Sequence, residues 1–301
     1  MKPIHMLLAV LMAVIWGSAF VATRVALDTF TPAQLTALRF IVAAVPALVV
    51  PRPQIPWRTL IATGMMLFTL LFMLQFFALA NGMPPGLAAV TIQSQAFFTV
   101  LLAALVFGER PTARQYAGML VALVGLLLIS LTVGRSLTAI GLVLTLASAA
   151  SWGIGNVMLK RLPKLDMFPL IVWLSLVPPL PALAVSLLLD GPASFPHALA
   201  SAPPVAYGSV LFLGAFATLV AYGIWGSLLR KYPAAVVTPF ALLVPIVGMA
   251  ASALAFGEQF ELLRLAGAAA MLLGLVIIAF PVDQFLLLRR SGSPNDGNAR
   301  G

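Results

Sequence analysis

The chain has 301 residues, of which 62% are hydrophobic and 8% charged, with a formal net charge of +9 and no cysteine. Soluble domains carry about 25% charged residues, so a chain this apolar cannot cover its own surface with polar groups and reads as an all-α protein solvated by the lipid bilayer. The missing cysteines exclude disulfides and thiolate metal sites, His5 and His197 are too far apart to suggest a histidine metal centre, and the bases are not clustered on one element as a nucleic-acid partner would require.

A helix crosses the hydrocarbon core in about 20 apolar residues. Runs of this kind occupy 5–27, 33–50, 59–80, 85–107, 113–132, 137–159, 167–189, 205–229, 234–256 and 262–284, which predicts ten transmembrane helices. The breaks are mostly short and rich in Gly, Pro or charge, as in PRPQIPWR (51–58), GERPTAR (108–114) and KRLPKLD (160–166). The first run follows Lys2 as a signal peptide's core would. It is longer than such a core, and its Trp16-Gly17 phrase recurs at Trp152-Gly153, so it is read as a retained helix. The polar tail 289–301 is expected to be disordered and cytoplasmic.

Placing the N-terminus in the cytoplasm puts Lys2, Arg52, Arg58, Arg110, Arg114, Lys160, Arg161, Lys164, Arg230, Lys231, Arg289, Arg290 and Arg300 inside, thirteen of the 17 bases. Arg24, Arg39, Arg135 and Arg264 remain for the outer side. This bias follows the positive-inside rule. Both termini inside also agrees with an even number of helices.

The chain repeats itself. Trp16 corresponds to Trp152 and Arg24 to Lys160 at an offset of 136 (152 − 16). FGERPTARQYAGMLVALVGLLLI (107–129) parallels FGEQFELLRLAGAAAMLLGLVII (256–278), pairing Glu109 with Glu258, Gly118 with Gly267 and Gly125 with Gly274 at an offset of 149. The thirteen extra residues fall in DGPASFPHALASAPP (190–204). The halves are therefore 1–132 and 137–288, five helices each. Because five is odd, the second half enters the membrane from the opposite side. An inverted repeat of this kind is a transporter signature, since one half can rock into the arrangement of the other.

The Trp16-Gly17 phrase, LRF (38–40), FGER (107–110), the Gly-rich fifth helix and their second-half counterparts resemble the drug/metabolite transporter superfamily in its EamA-type, ten-helix form, over about residues 8–280. GMPPGLAAVTIQSQAFFT (82–99), YGIWGSLLRKY (222–232) and LLVPIVG (242–248) are similar to the branch of cysteine and O-acetylserine exporters. The chain departs from the family at Ala96, where helix 4 usually carries a proline that the second half keeps as Pro245. The resemblance implies a secondary transporter of the bacterial inner membrane, a monomer or homodimer without a cofactor. It would export small polar metabolites, most of all amino acids such as cysteine and O-acetylserine. Drugs, aromatic compounds and nucleobases are the alternative solutes. Outside transport the alternatives are a membrane enzyme, which needs paired acid and base groups at one depth that are not found here, and a scaffold, which has no need of inverted halves.

Polar side chains within membrane helices usually face the bundle interior. The candidates for a substrate pathway are Trp16 on helix 1 and Gln75 on helix 3. Helix 4 adds Thr91, Ser94 and Gln95, with Thr99 on the same face and Gln93 pointing away. Helix 6 adds Trp152 and Asn156, on a stripe with Ser148 and Ser151; helix 8 adds Tyr222 and Trp225, below Thr218. Amides and hydroxyls can bond the ends of a zwitterion and aromatic faces attract its cation; the same groups can equally bond neighbouring helices. Arg39 lies about 10 Å in from Pro32 at helical rise. That shallow depth favours a structural role, snorkelling outward or bonding a helix end, over binding a carboxylate. Gly118, Gly125, Gly267 and Gly274 mark flat faces for helix packing. Pro245 is expected to kink helix 9, as a gate or a static bend. All eight acids lie at or near segment ends, so no buried carboxylate is placed for proton coupling. No P-loop, metal motif or catalytic triad spacing is present.

Overall fold

A computed structural model describes residues 1–279. The end of the tenth run and the tail 289–301 lie outside the described residues. Ten helical segments follow one another: α1 (Pro3–Ala26), α2 (Pro32–Leu48), α3 (Trp57–Ala80), α4 (Pro85–Phe107), α5 (Ala113–Ser130), α6 (Ala139–Lys160), α7 (Met167–Asp190), α8 (Pro204–Lys231), α9 (Thr238–Phe256) and α10 (Leu262–Ala279). Among the described residues all but α2 are long and apolar enough to cross a membrane, and the only β pairing is an isolated bridge between Val133 and Leu137. The protein is an all-α membrane bundle. Leu48, Leu105, Leu188, Leu254 and Leu262 stand almost fully exposed on its outside, where lipid solvates them.

The helix ends follow from local sequence. Proline opens α1, α2, α4 and α8, where its missing N–H and fixed φ carry no penalty. Thr31 with Gln34 and Thr112 with Gln115 form capping boxes at the starts of α2 and α5. Gly108 and Gly257, equivalent in the two halves, end α4 and α9 in the left-handed conformation at φ 68° and 64°. Within α7, Pro178 and Pro179 supply no N–H, and the helix is interrupted between Leu174 and Pro179. The extra residues of the second half form a short helix, Ser194–Ser201. It is tied to the start of α2 by Thr31 Oγ1 donating to Asp190 (2.7 Å) and Gln34 Nε2 donating to Ser194 (2.9 Å). Near the ends of α2 and α3, Trp57 and Trp173 meet edge to face, Arg52 lies over Trp57, and Trp173 donates to the Val50 carbonyl (3.0 Å), as anchors at a membrane interface do.

Glycine contacts reveal how the halves meet. A Cβ on Gly125 would stand 2.5 Å from the Gly267 carbonyl oxygen, and one on Gly274 would stand 2.5 Å from that of Gly118. Gly118 thus meets Gly274 and Gly125 meets Gly267, so α5 and α10 cross antiparallel at backbone contact. Each glycine touches the equivalent of its own helix partner, so the contact maps onto itself when the halves are exchanged. The same exchange relates Gly17 of α1, packed on Val247 of α9, to Gly153 of α6, packed on Phe98 of α4. Helix α1 packs on α8 and α9 as α6 packs on α3 and α4, while α2 meets α7 and α4 meets α9.

Even the irregularities are paired. Helix α3 widens into a π segment at Met65–Leu70 and α8 does so at Phe212–Val220. Thr69 and Thr218, at the 149 offset, each donate a hydroxyl bond to the carbonyl five residues back. Helix α4 tightens into a 3-10 turn at Ile92–Ser94 and α9 at Thr238–Leu242. The break in α4 occurs beside Ala96 without a proline. Pro245 lies buried just after the corresponding turn, near the start of the α-helical part Leu243–Phe256. The 3-10 turn of α9, which holds Pro239, thus has a counterpart in α4 formed without a proline.

Candidate functional site

The π segments build the centre of the bundle. A widened turn leaves carbonyls free of their usual helical partners, and side chains of the opposite half take them up. Ser148 donates to the Leu71 carbonyl (2.7 Å), Ser151 to that of Met66 (2.6 Å) and the Trp16 indole N–H to that of Ala217 (2.9 Å). Thr218, held by its bond to the Leu213 carbonyl (2.9 Å), turns its oxygen to Arg39, whose Nε donates to it at 3.1 Å.

Arg39 is 3% exposed. Its guanidinium lies 4.0 Å from the ring centroid of Phe72 and 5.6 Å from that of Phe40. The described ion pairs, Arg24–Asp28, Arg135–Glu261, Lys160–Glu109 and Arg230–Asp166, all lie elsewhere. The expected snorkelling of Arg39, or a bond to a helix end, is not what the structure contains: the side chain points inward, because two aromatic faces and a hydroxyl from α8 solvate it there. Around it Trp16 meets Tyr222 edge to face (5.0 Å between centroids) and Trp225 at 5.9 Å, Tyr222 meets Phe68 at 6.1 Å, and Phe40 stacks on Phe68 at 4.9 Å. Trp152 packs against the same Phe40–Phe68 cluster.

Of the sequence candidates, Trp16, Arg39, Trp152, Tyr222 and Trp225 therefore come together. Gln75 lies on the stripe Phe68, Phe72, Gln75, Phe76 of α3, the face on which Arg39 rests. Both of its amide atoms are buried without a hydrogen-bond partner, as are the hydroxyls of Thr91 and Ser94. Sequence reasoning missed Phe40, Phe68 and Phe72. The four-residue spacing of Phe68, Phe72 and Phe76 beside Gln75 was the available signal.

Gln95 and Asn156 sit apart from this group and are bonded to each other. Asn156 Nδ2 donates to Gln95 Oε1 (2.9 Å) and to Thr99 Oγ1 (3.1 Å), and Thr99 donates to the Gln95 carbonyl (2.7 Å), holding α4 to α6. The expected single polar face of α4 is broken by the 3-10 turn at Ile92–Ser94, which changes the helical phase. Ser94 consequently joins Gln93 in a separate crevice of about 90 Å³, lined also by Phe97, Leu126 and Met271. The helix 6 stripe divides likewise: Ser148 and Ser151 face α3, while Asn156 faces α4.

The EamA-like transporter family matches the chain twice, over residues 3–131 and 139–280. The chain belongs to this family. As an EamA-like transporter it is an integral membrane protein with a small-molecule substrate, and its family is one of transporters rather than enzymes. It is 40% identical over 281 residues to a probable amino-acid metabolite efflux pump of Escherichia coli K12, covering 91% of this chain and 94% of that protein. It is 31% identical to a probable terminal-alkyne amino-acid exporter of Streptantibioticus cattleyicolor, covering 89% and 91%. A solved crystal structure superposes with a TM-score of 0.60 at 20% sequence identity, covering 97% of this chain and 100% of that one, which shows that the EamA-like transporter shares its fold.

Proposed function

We propose that this transporter exports small amino-acid metabolites of the O-acetylserine and cysteine kind across the bacterial inner membrane, with both termini in the cytoplasm. The observation that carries the reading is Arg39, a guanidinium inside the bundle with no carboxylate paired to it among the described residues. An unpaired cation in a low-dielectric interior is a site for an anionic group, and the planar guanidinium suits a carboxylate. Trp16, Tyr222 and Trp225 offer aromatic faces to the ammonium of the same solute, and Gln75 offers an amide with free donors and acceptor. A cationic drug would meet repulsion from Arg39. The two relatives, a probable amino-acid metabolite efflux pump and a probable terminal-alkyne amino-acid exporter, support the solute class.

Movement follows from the repeat, with 1–132 and 137–288 as the two bodies. Lys160, at the end of α6, pairs with Glu109 between α4 and α5. The equivalents at the other end, Arg24 and Glu258, are not paired with each other: Arg24 bonds Asp28, and Glu258 accepts from the Gly86 N–H and from Ser252. In the opposite-facing state the Lys160–Glu109 pair opens and Arg24 moves to Glu258, which exposes the centre to alternate sides.

The test is flux of labelled O-acetylserine and cysteine, under reducing conditions, in proteoliposomes with and without a pH gradient. Saturable flux is expected, reduced at least about ten-fold in Arg39→Gln and partly retained in Arg39→Lys. Absence of flux for both solutes from folded protein overturns the solute class. Unchanged flux in Arg39→Gln overturns the anchor.

A further inference from the structure

At the end of the bundle away from Lys2, the α1–α2, α3–α4, α5–α6 and α9–α10 connections border an open cavity of about 910 Å³, lined in part by Arg24, Asp28, Arg135, Glu258, Glu261 and Arg264. Two of its ion pairs, Arg24–Asp28 and Arg135–Glu261, are neutralised within the chain. Arg264 and Glu258 are not. Arg264 is 3% exposed; its Nε donates to Thr132 (3.2 Å) and its Nη1 to Ser136 (2.7 Å), while Nη2 is buried without a partner. Glu258 Oε2 accepts from the Gly86 N–H (3.0 Å) and from Ser252, while Oε1 is buried without a partner. Arg264 and Glu258 form no direct ion pair among the described residues.

We infer that this vestibule is a second amino-acid site, in which Arg264 Nη2 takes the α-carboxylate and Glu258 Oε1 the α-ammonium of a zwitterion. Both residues line the same cavity, and each keeps in its wall one buried group without a partner, a donor of positive charge and an acceptor of negative charge, which together are the complement of such a ligand. The three groups flanking them, Arg264 Nε and Nη1 and Glu258 Oε2, are already used, so the side chains are held in place before anything binds. The arrangement is not a by-product of the repeat. The residue equivalent to Arg264 is Gln115, which serves the capping box of α5, so this helix start needs no arginine to form. On the orientation proposed above the vestibule faces outward, where it would hold exported solute after release from the centre. The inference rests on the reading that the solute is an amino acid.

The test uses a single cysteine, Gln259→Cys, on the exposed rim of the cavity in this cysteine-free chain. The full chain in lipid nanodiscs is labelled with a maleimide at neutral pH, with L-serine, O-acetyl-L-serine, L-serinamide or N-acetyl-L-serine present. Serine or O-acetylserine is expected to slow labelling, by about ten-fold at ten times Kd if the occupied form is unreactive. Serinamide and N-acetylserine, each lacking one charge, should not. Protection should vanish in Glu258→Gln, which keeps an oxygen for the Gly86 N–H, and in Arg264→Gln. It should persist in Arg39→Gln. No protection by either amino acid, equal protection by the blocked analogues, survival in both vestibule variants, or loss in Arg39→Gln would each overturn the inference. The flux assay separates the two readings: Arg39-dependent flux without protection leaves the central site standing alone, and protection without flux leaves the vestibule alone.

Discussion

Replacing Arg39 by Met should abolish export while leaving the fold nearly as stable as before. A charged side chain at the middle of a membrane helix costs about 3 kcal/mol on an insertion scale. Against this stand one hydrogen bond from a charged donor to Thr218, about 1.5–3 kcal/mol, and a desolvated cation–π contact with Phe72, about 2 kcal/mol. The balance favours the arginine by only about 0.5–2 kcal/mol. Met fills most of the space of the arginine stem, and Thr218 stays bonded to the Leu213 carbonyl, so the substitution leaves no orphaned hydroxyl. We therefore expect a loss in unfolding free energy of at most about 2 kcal/mol, compared with about 3–5 kcal/mol when a structural buried ion pair is broken. Unfolding by SDS titration, followed by tryptophan fluorescence, would be measured beside flux in the same preparation. A loss of about 3 kcal/mol or more that tracks the loss of flux would make Arg39 a structural residue and refute the reasoning.

At the α5–α10 crossing, Gly125→Ala forces a Cβ to within 2.5 Å of the Gly267 carbonyl. Thermal unfolding should show a loss of about 1–3 kcal/mol, and adding Gly267→Ala should cost less than the sum, because the helices have already parted. Pro245→Ala should keep flux within about two-fold, since α4 forms the same 3-10 turn beside Ala96; a ten-fold loss would restore Pro245 as a gate. A double-mutant cycle of Gln95→Ala and Asn156→Ala should give a coupling of about 0.6 kcal/mol, as interhelical bonds in membranes average, with flux largely retained. Reversing one charge of the Lys160–Glu109 pair should raise maleimide labelling of a cysteine placed between those helices, and reversing both should return it to the wild-type rate.

Much of the architecture was legible because it depends on size and period. Runs of about 20 apolar residues have one economical solution in lipid, a helix with every backbone group bonded internally. Charges sort by side because they cannot easily cross. Glycines seven residues apart mark a flat helix face wherever they occur, and here Gly118, Gly125, Gly267 and Gly274 bring two backbones together. The repeat also carried over to detail that no sequence pattern announces, such as the paired π segments around Thr69 and Thr218.

The site was less legible, because whether a polar group is free or bonded depends on what another helix places beside it. Gln95 and Asn156 had the profile of a substrate wall, and the tertiary structure bonds them to each other. Arg39 had the profile of a shallow anchor, and α3 and α8 bring two rings and a hydroxyl that draw it inward. A single 3-10 turn in α4 reassigned Ser94 from one face to another, since a local change in pitch rotates everything beyond it. Sequence by itself determined the number of spans, the repeat and the inventory of polar groups. The direction of each side chain, and with it which of those groups face a substrate, was decided by packing between helices far apart in the chain.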